Sequence, residues 1–345
     1  MVDGHGDDTY NYSNIRLNFS SNIYCQANNE ALEQHLKSAI HLAISAYPEP
    51  QPLRLESLIS QRLGISNKEI CVTAGATEAI YLIAQAYRGS YSTICEPTFS
   101  EYADACRIHG HQLVSERFPC GKKLHWLCNP NNPTGKTKSK QSLLKAIGDN
   151  PHDIFIIDHS YKDFTLCSLL TDREAVDLGN VILINSMTKR HAIPGLRLGY
   201  ITASEELTAR IRSGRMPWSV NSLAIEAGLF ITSHPSTISL KDYLEEASRL
   251  RHELNAIPGI EVFDSDTHFF LARVTARKAS ELKDYLAKEH GILIRDASNF
   301  EGLNETYFRI TSRTPKDNRI LAAAIRNYMN KIYDETHITP DRLAL

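Results

Sequence analysis

Residues 184–200 read INSMTKRHAIPGLRLGY. With Val181–Leu183 in front, the run VILINS has the apolar, β-branched character of a buried strand. It stops on Ser-Met-Thr-Lys. Lys189 closes that stretch, and the glycine-bounded Arg197 follows eight residues later. A strand that ends by presenting a hydroxyl, an amine and then a guanidinium has its chemistry at its carboxyl end. The pattern recurs upstream in HWLCNPNNPTG and DIFIIDHSY, each a short apolar run ending in polar residues. Between such runs lie segments with helical spacing of apolar residues: ALEQHLKSAIHLAIS, LRLESLISQRLG stopped by Gly64, and TEAIYLIAQAY. Alternating strands and helices predict an α/β fold with a mainly parallel central sheet covered on both faces. In such sheets the site lies beyond the carboxyl ends of the strands.

The chain has 345 residues, enough for about two domains. Residues 1–30 are polar and Asn-rich and read as an arm laid on a surface. Residues 31–235 carry the alternating pattern and form the large domain. From 236 to 345 the character shifts to a smaller α+β domain. It holds a long charged helix (ISLKDYLEEASRLRHELNAI), strands in EVFDSDTHFFLARV, GILIRDAS and YFRITS, and a closing helix in LAAAIRNYMNKIY. Net charge is −2, so no bulk basic field argues for nucleic acid. No apolar run approaches the length of a membrane span, and the N-terminus lacks the apolar region of a secretory signal. The seven cysteines are scattered, with no CxxC pair. They are expected to be buried small hydrophobes in a reducing cytoplasm, with neither a disulfide framework nor a metal site.

The strand ends supply a consistent set. Gly75, Ala76 and Thr77 sit between a strand and a helix, where backbone N–H groups favour an anion. Asn132 lies in NPNNPTG, Asp158 and Tyr161 follow FII, and Ser186, Lys189 and Arg197 follow VILIN. Taken singly, each has a bland reading: Asp158 as a helix cap, Asn132 as part of a turn, the arginines as surface ion-pair partners. Taken together, they meet the needs of pyridoxal phosphate: phosphate donors, a carboxylate for the pyridine nitrogen, donors for the ring oxygen, and one lysine for a Schiff base.

With SxxK…GLRLG, NPNNPTG and DxxY in this order, nearly the whole chain resembles the fold-type-I pyridoxal-phosphate enzymes of the class I/II aminotransferase family. The resemblance implies that Lys189 forms the Schiff base, Asp158 pairs with the ring nitrogen, and Asn132 and Tyr161 bond the ring oxygen. It implies phosphate contacts from Ser186, Arg197 and the Gly75–Thr77 turn, and stacking by Phe99 of EPTFSEY. Tyr47 of AYPEP would serve the cofactor of the neighbouring subunit, so a homodimer is expected. Arg309 of YFRITSR would clamp a substrate carboxylate, for which a bidentate fork is suited.

Two further stretches, GHGDD…IRLNFSSNIY and GILIRDASNFEGL, are similar to L-threonine O-3-phosphate decarboxylases, close relatives of histidinol-phosphate aminotransferases. The former make (R)-1-amino-2-propanol phosphate for the cobalamin side chain. By that likeness the substrate is a small phosphorylated amino acid, with Asn22, His5 and Arg295 as further substrate contacts and Arg313 as a weaker candidate expected on the surface. The chain departs from the pattern at Asp7, which replaces the second glycine of His-Gly-Gly, and at Tyr24-Cys25, which replace Asn-Pro. Decarboxylation and transamination both remain open at this point. A catalytically silent pyridoxal-phosphate-binding protein is the reading from another class; family regulators usually carry a fused DNA-binding domain, for which no spare length is expected here.

Overall fold

The computed structural model describes residues 7–119, 121–275 and 277–336. The chain begins β1 (Leu17–Asn18), α1 (Glu30–Ser45), α2 (Leu53–Leu63), β2 (Ile70–Thr73), α3 (Gly75–Ala86), β3 (Tyr91–Ile94), α4 (Glu101–Ile108) and β4 (Gln112–Leu113). It continues β5 (Lys123–Cys128), α5 (Lys140–Asp149), β6 (Ile154–Asp158), α6 (Asp172–Leu178), β7 (Val181–Ser186), α7 (Thr188–His191), β8 (Gly199–Ala203), α8 (Glu205–Arg212) and α9 (Ser222–Ser233). It closes with α10 (Leu240–Asn255), β9 (Ile260–Val262), β10 (Phe269–Val274), α11 (Ala279–His290), β11 (Ile292–Leu293), β12 (Arg295–Asp296), β13 (Tyr307–Thr311) and α12 (Pro315–Thr336).

Seven strands make the central sheet, in the order β2-β8-β7-β6-β5-β3-β4. Only β8 runs against its neighbours, so β2, β5, β6 and β7 all end at the same edge. Period-2 alternation sends the side chains of β6 to two different cores. Ile154 and Ile156 join one cluster with Ile182 and Trp126, while Phe155 and Ile157 join another with Val181 and Leu183. A sheet buried on both faces explains why its strands read as continuous apolar runs. The sheet is α/β and mainly parallel, as the alternation predicts.

A second, four-stranded antiparallel sheet has the order β12-β13-β10-β9. Two runs that look single in the sequence are divided here. EVFDSDTHFFLARV splits into β9 and β10 around a polar turn, and GILIRDAS breaks at Ile294 into β11 and β12. The break lets β11 pair in parallel with β1 while β12 pairs with β13. Residues 17–22 are therefore built in rather than laid over a surface: Phe19 is fully buried in the core that contains Phe270 and Phe308.

The expectation that the cysteines are buried holds for Cys71, Cys106 and Cys128; Cys25 is half-buried, and Cys95 and Cys167 are exposed because they lie in loops that leave strand and helix ends. Cys120 lies outside the described residues. No group of metal ligands and no helix long and apolar enough to cross a membrane occurs among the described residues.

Candidate active site

The edge where β5, β6 and β7 end opens into a cavity of about 570 Å³. Asp158, the last residue of β6, forms part of its lining and is 4% exposed. The Tyr102 hydroxyl donates to its Oδ2 at 2.8 Å, and the Ser160 N–H donates to its Oδ1 at 2.8 Å. Burial pushes this carboxyl up, while the two hydrogen bonds and the charge of Lys189 oppose it. A buried carboxyl that accepts two hydrogen bonds, with room in front of it, suits a cationic ring nitrogen.

β7 ends at Ser186, and Lys189 is carried by the four-residue helix α7 rather than by the strand itself. Its Nζ lies 5.9 Å from the centre of the Tyr161 ring. Desolvation in the cavity lowers its amine to about 8, helped by the positive charges of Arg309 and Arg197 and opposed by Asp158 and Asp7. The lowered pKa increases the share of neutral amine near physiological pH, the form that nucleophilic attack on a carbonyl requires.

Arg197 adopts a left-handed backbone, φ 59°. Its guanidinium lies over the start of α3: a Cβ built on Gly75 would meet Arg197 Nη2 at 2.8 Å. Ala76, Thr77 and Ser186 complete this end of the lining. Gly199 makes the geometry possible. A Cβ there would fall 2.7 Å from the Asn185 carbonyl oxygen and 2.9 Å from the Ala76 nitrogen, so only glycine lets β8 run this close to the helix start. The result is a guanidinium, a hydroxyl and helix N–H groups converging where an anion fits.

The other end of the cavity is lined from the second sheet and residues 20–22. Arg309 is 5% exposed; its Nη1 donates to Asn132 Oδ1 and its Nη2 to the Ser20 carbonyl oxygen. Burial lowers its guanidinium to about 10, with Tyr161 opposing and Arg295 adding to the shift. Arg295 is 6% exposed and stands directly opposite Arg309 in the antiparallel register of β12 and β13. Its Nη2 donates to Asn299 Oδ1 at 2.8 Å, and its guanidinium lies 5.5 Å from the centre of the Phe300 ring. Asn22 is buried and its Oδ1 accepts from the Thr311 hydroxyl at 2.6 Å. Tyr161 packs edge-on against Phe269 at 4.7 Å, and burial raises its phenol. Phe99 lines the cavity and meets Tyr102 edge-on at 5.8 Å.

The cavity thus gathers Ala76, Thr77, Phe99, Asn132, Asp158, Tyr161, Ser186, Lys189, Arg197, Asn22, Arg295 and Arg309, with Gly75 beneath Arg197. Tyr47 is not among them. It is 88% exposed and lies 5.6 Å from the ring of Trp218. His5 falls outside the described residues. Arg313, expected on the surface, is half-buried: its Nη1 donates to the Asn18 carbonyl oxygen at 3.2 Å and its Nε pairs with Asp317, which ties the arm down. Sequence reasoning missed Tyr102 and Asn299. Neither pairs with its recognised neighbour through helical spacing, since Phe99 precedes α4 and Arg295 lies in β12, so the sequence offered no periodic signal for them.

The residues fit pyridoxal phosphate in donor type and placement: a phosphate cradle, a buried carboxyl that accepts two hydrogen bonds, and a lysine of lowered pKa in one cavity.

The family model for aminotransferase class I and II matches residues 14–325. The chain is 32% identical over 343 residues to the adenosylcobalamin biosynthesis bifunctional protein of Leptospira interrogans, covering 90% of this chain and 38% of that protein's length. It is 30% identical to the threonine-phosphate decarboxylase of Salmonella typhimurium, over 92% of each chain. A histidinol-phosphate aminotransferase of a Thermoanaerobacter species matches at 28% identity, over 83% of this chain and 85% of its own. Among solved structures, the L-threonine-O-3-phosphate decarboxylase of Porphyromonas gingivalis superposes with a TM-score of 0.87 at 37% identity, over 91% of this chain and 99% of that one.

Proposed function

The chain belongs to the aminotransferase class I and II family, whose members depend on pyridoxal phosphate, and from that premise we propose that it is a decarboxylase of L-threonine O-3-phosphate serving cobalamin side-chain synthesis. One observation carries the choice of substrate. Arg295 and Arg309 are both buried, stand opposite each other across β12 and β13, and line the same cavity. Two buried cations side by side repel each other and are costly unless two anionic groups arrive to pair with them. Threonine O-phosphate brings a phosphate and a carboxylate. Histidinol phosphate brings one anionic group only.

Bound pyridoxal phosphate supplies a sink for the electron pair left on the substrate Cα when a bond to it breaks. The roles of the chain's own residues follow from the geometry. Asp158, whose ionised form Tyr102 and Ser160 favour, would hold a proton on the ring nitrogen. Ser186, Arg197 and the N–H groups at the start of α3 hold the cofactor phosphate. Asn132 gives its carbonyl end to Arg309, which leaves the amide nitrogen as the donor end towards the ring oxygen, alongside Tyr161. Phe99 covers the ring. Arg309, fixed by Asn132 and the Ser20 carbonyl, orients the substrate carboxylate, and Arg295 takes its phosphate. The Cα–carboxylate bond breaks, CO2 leaves, and Lys189, which with a pKa near 8 can hold the proton given up by the substrate amino group, donates that proton from its ammonium to Cα. Asn22 and His5 stand as further substrate contacts.

The working unit is a homodimer, with Tyr47 serving the neighbouring site. In support, Leu42, Ile44, Tyr47, Met216 and Trp218 are each at least half exposed in the single chain, and an apolar face of this kind is normally covered. We place the enzyme in the cytoplasm, where exposed thiols such as Cys95 and Cys167 stay reduced. The test is a paired product assay on cofactor-loaded protein. Threonine O-phosphate without an oxo acid should release CO2. Glutamate from histidinol phosphate plus 2-oxoglutarate, without CO2 in the first tube, would make the protein an aminotransferase instead.

A further inference from the structure

Asp7 occupies a position that the chemistry above does not use. It lines the same cavity as Arg295, Arg309 and Lys189. Its placement is built from both sides. The Asp7 N–H donates to Ser20 Oγ at 3.1 Å, and its Oδ1 accepts from Asn18 Nδ2 at 2.6 Å. The next residue, Asp8, is paired with Lys283 of α11, and its charge also reaches Arg295. Tyr12 anchors the same stretch through its hydroxyl, which donates to Asp284 Oδ1 at 3.1 Å. Asp7 has φ 69°, a left-handed conformation that glycine adopts freely and that aspartate tolerates. So the chain places a charged side chain where backbone geometry favours none, at a wall of a cavity made for anions. The charge is felt inside: Asp7 is among the groups that raise the proton affinity of Lys189.

We propose that Asp7 is a specificity-determining residue, a resident carboxylate that competes with incoming anions for the positive charge of the cavity around Lys189. This rests on the proposed phosphorylated substrate only for the identity of the anion. The consequence is selective. A lone anion such as inorganic phosphate meets a cavity whose positive charge is already partly offset at Lys189 and binds weakly. A substrate with two anionic ends and a covalent link to the site engages Arg295 and Arg309 together and overcomes the competition. Asp7 thereby keeps the site clear of free phosphate.

The experiment is calorimetric titration of inorganic phosphate into the full-length, cofactor-loaded protein, in which the cofactor phosphate site is already filled. Asp7→Asn keeps the Oδ1 acceptor for Asn18 and removes the charge. Asp7→Gly removes both and suits the backbone. Both variants should bind inorganic phosphate more tightly than the parent, on the order of ten-fold at low ionic strength for one nearby charge, with the difference shrinking as salt is added. Parent-like or weaker binding by Asp7→Asn overturns the proposal, and so does tightening in Asp7→Gly alone, which would report relief of backbone strain. The readout does not depend on turnover. If threonine O-phosphate proves not to be decarboxylated while phosphate affinity responds as expected, the substrate reading falls and the role of Asp7 stands.

Discussion

The Tyr102 hydroxyl donates to Asp158 Oδ2 at 2.8 Å across 56 positions of sequence, from the second residue of α4 to the last residue of β6. The bond favours the ionised carboxylate, and burial opposes it. Removing the donor with Tyr102→Phe therefore raises the Asp158 pKa further. A carboxyl with a raised pKa loses its charge at a higher pH on acidification. Cofactor retention should fail about one pH unit higher than in the parent, the equivalent of one hydrogen bond to a charged group. Absorbance of released cofactor, followed from neutral pH downward, checks this; an unshifted curve would leave Tyr102 with a packing role only.

Lys189 is lowered to about 8 by burial and by Arg309 and Arg197. Below that pH the amine is protonated and cannot attack. Cofactor uptake by the stripped protein should accelerate with rising pH around a midpoint near 8, well below the range of a free lysine. Lys189→Ala should abolish the characteristic absorbance of the loaded protein and cut turnover by roughly 10³-fold or more. An unchanged spectrum in that variant would sink the assignment of Lys189.

Arg295 and Arg309 should separate in their effects. Arg309→Gln strips a cation that is also bonded to Asn132 and Ser20, so both substrate binding and turnover should suffer, by roughly 10²-fold or more in kcat/KM. Arg295→Gln should raise KM for threonine O-phosphate while having little effect on the weak binding of unphosphorylated threonine. Equal losses for the two ligands would show that Arg295 does not hold the phosphate.

Gly199→Ala would drive a Cβ against three backbone atoms, of Asn185, Ala76 and Gly75, which cannot swing aside as a flexible side chain would. The expected cost is about 1–3 kcal/mol of stability, as for overpacking in a dense interior, read from denaturant unfolding. Cofactor affinity should fall in parallel because Ala76 is displaced. Parent-like stability would mean that β8 can shift away from α3.

Ile44 is 79% exposed and Tyr47 88%. Ile44→Glu should convert a dimer to a monomer in sedimentation, and activity should fall with assembly because each site would lack the partner's Tyr47. A parent protein of monomeric mass with full activity would contradict the dimer.

Much of the cofactor site was legible because it lies along short, local stretches. Ser186, Lys189 and Arg197 belong to one segment, Asp158 and Tyr161 to one turn, Gly75–Thr77 to one helix start. In a mainly parallel sheet the ends of β2, β5, β6 and β7 must lie along one edge, so order along the chain becomes proximity in space. The sequence by itself therefore determined the α/β class, the edge that holds the cavity and most of the polar side chains that line it. Only the tertiary structure decided what long-range pairing controls. It put Tyr102 on Asp158, set Arg295 opposite Arg309 through the register of β12 and β13, buried Phe19 by pairing β1 with β11, and brought Asp7 to the cavity through Asn18 and Ser20. These contacts join segments whose separation carries no periodic signal. Their geometry comes from strand register and from which surfaces exclude water, and both arise only once the chain has folded.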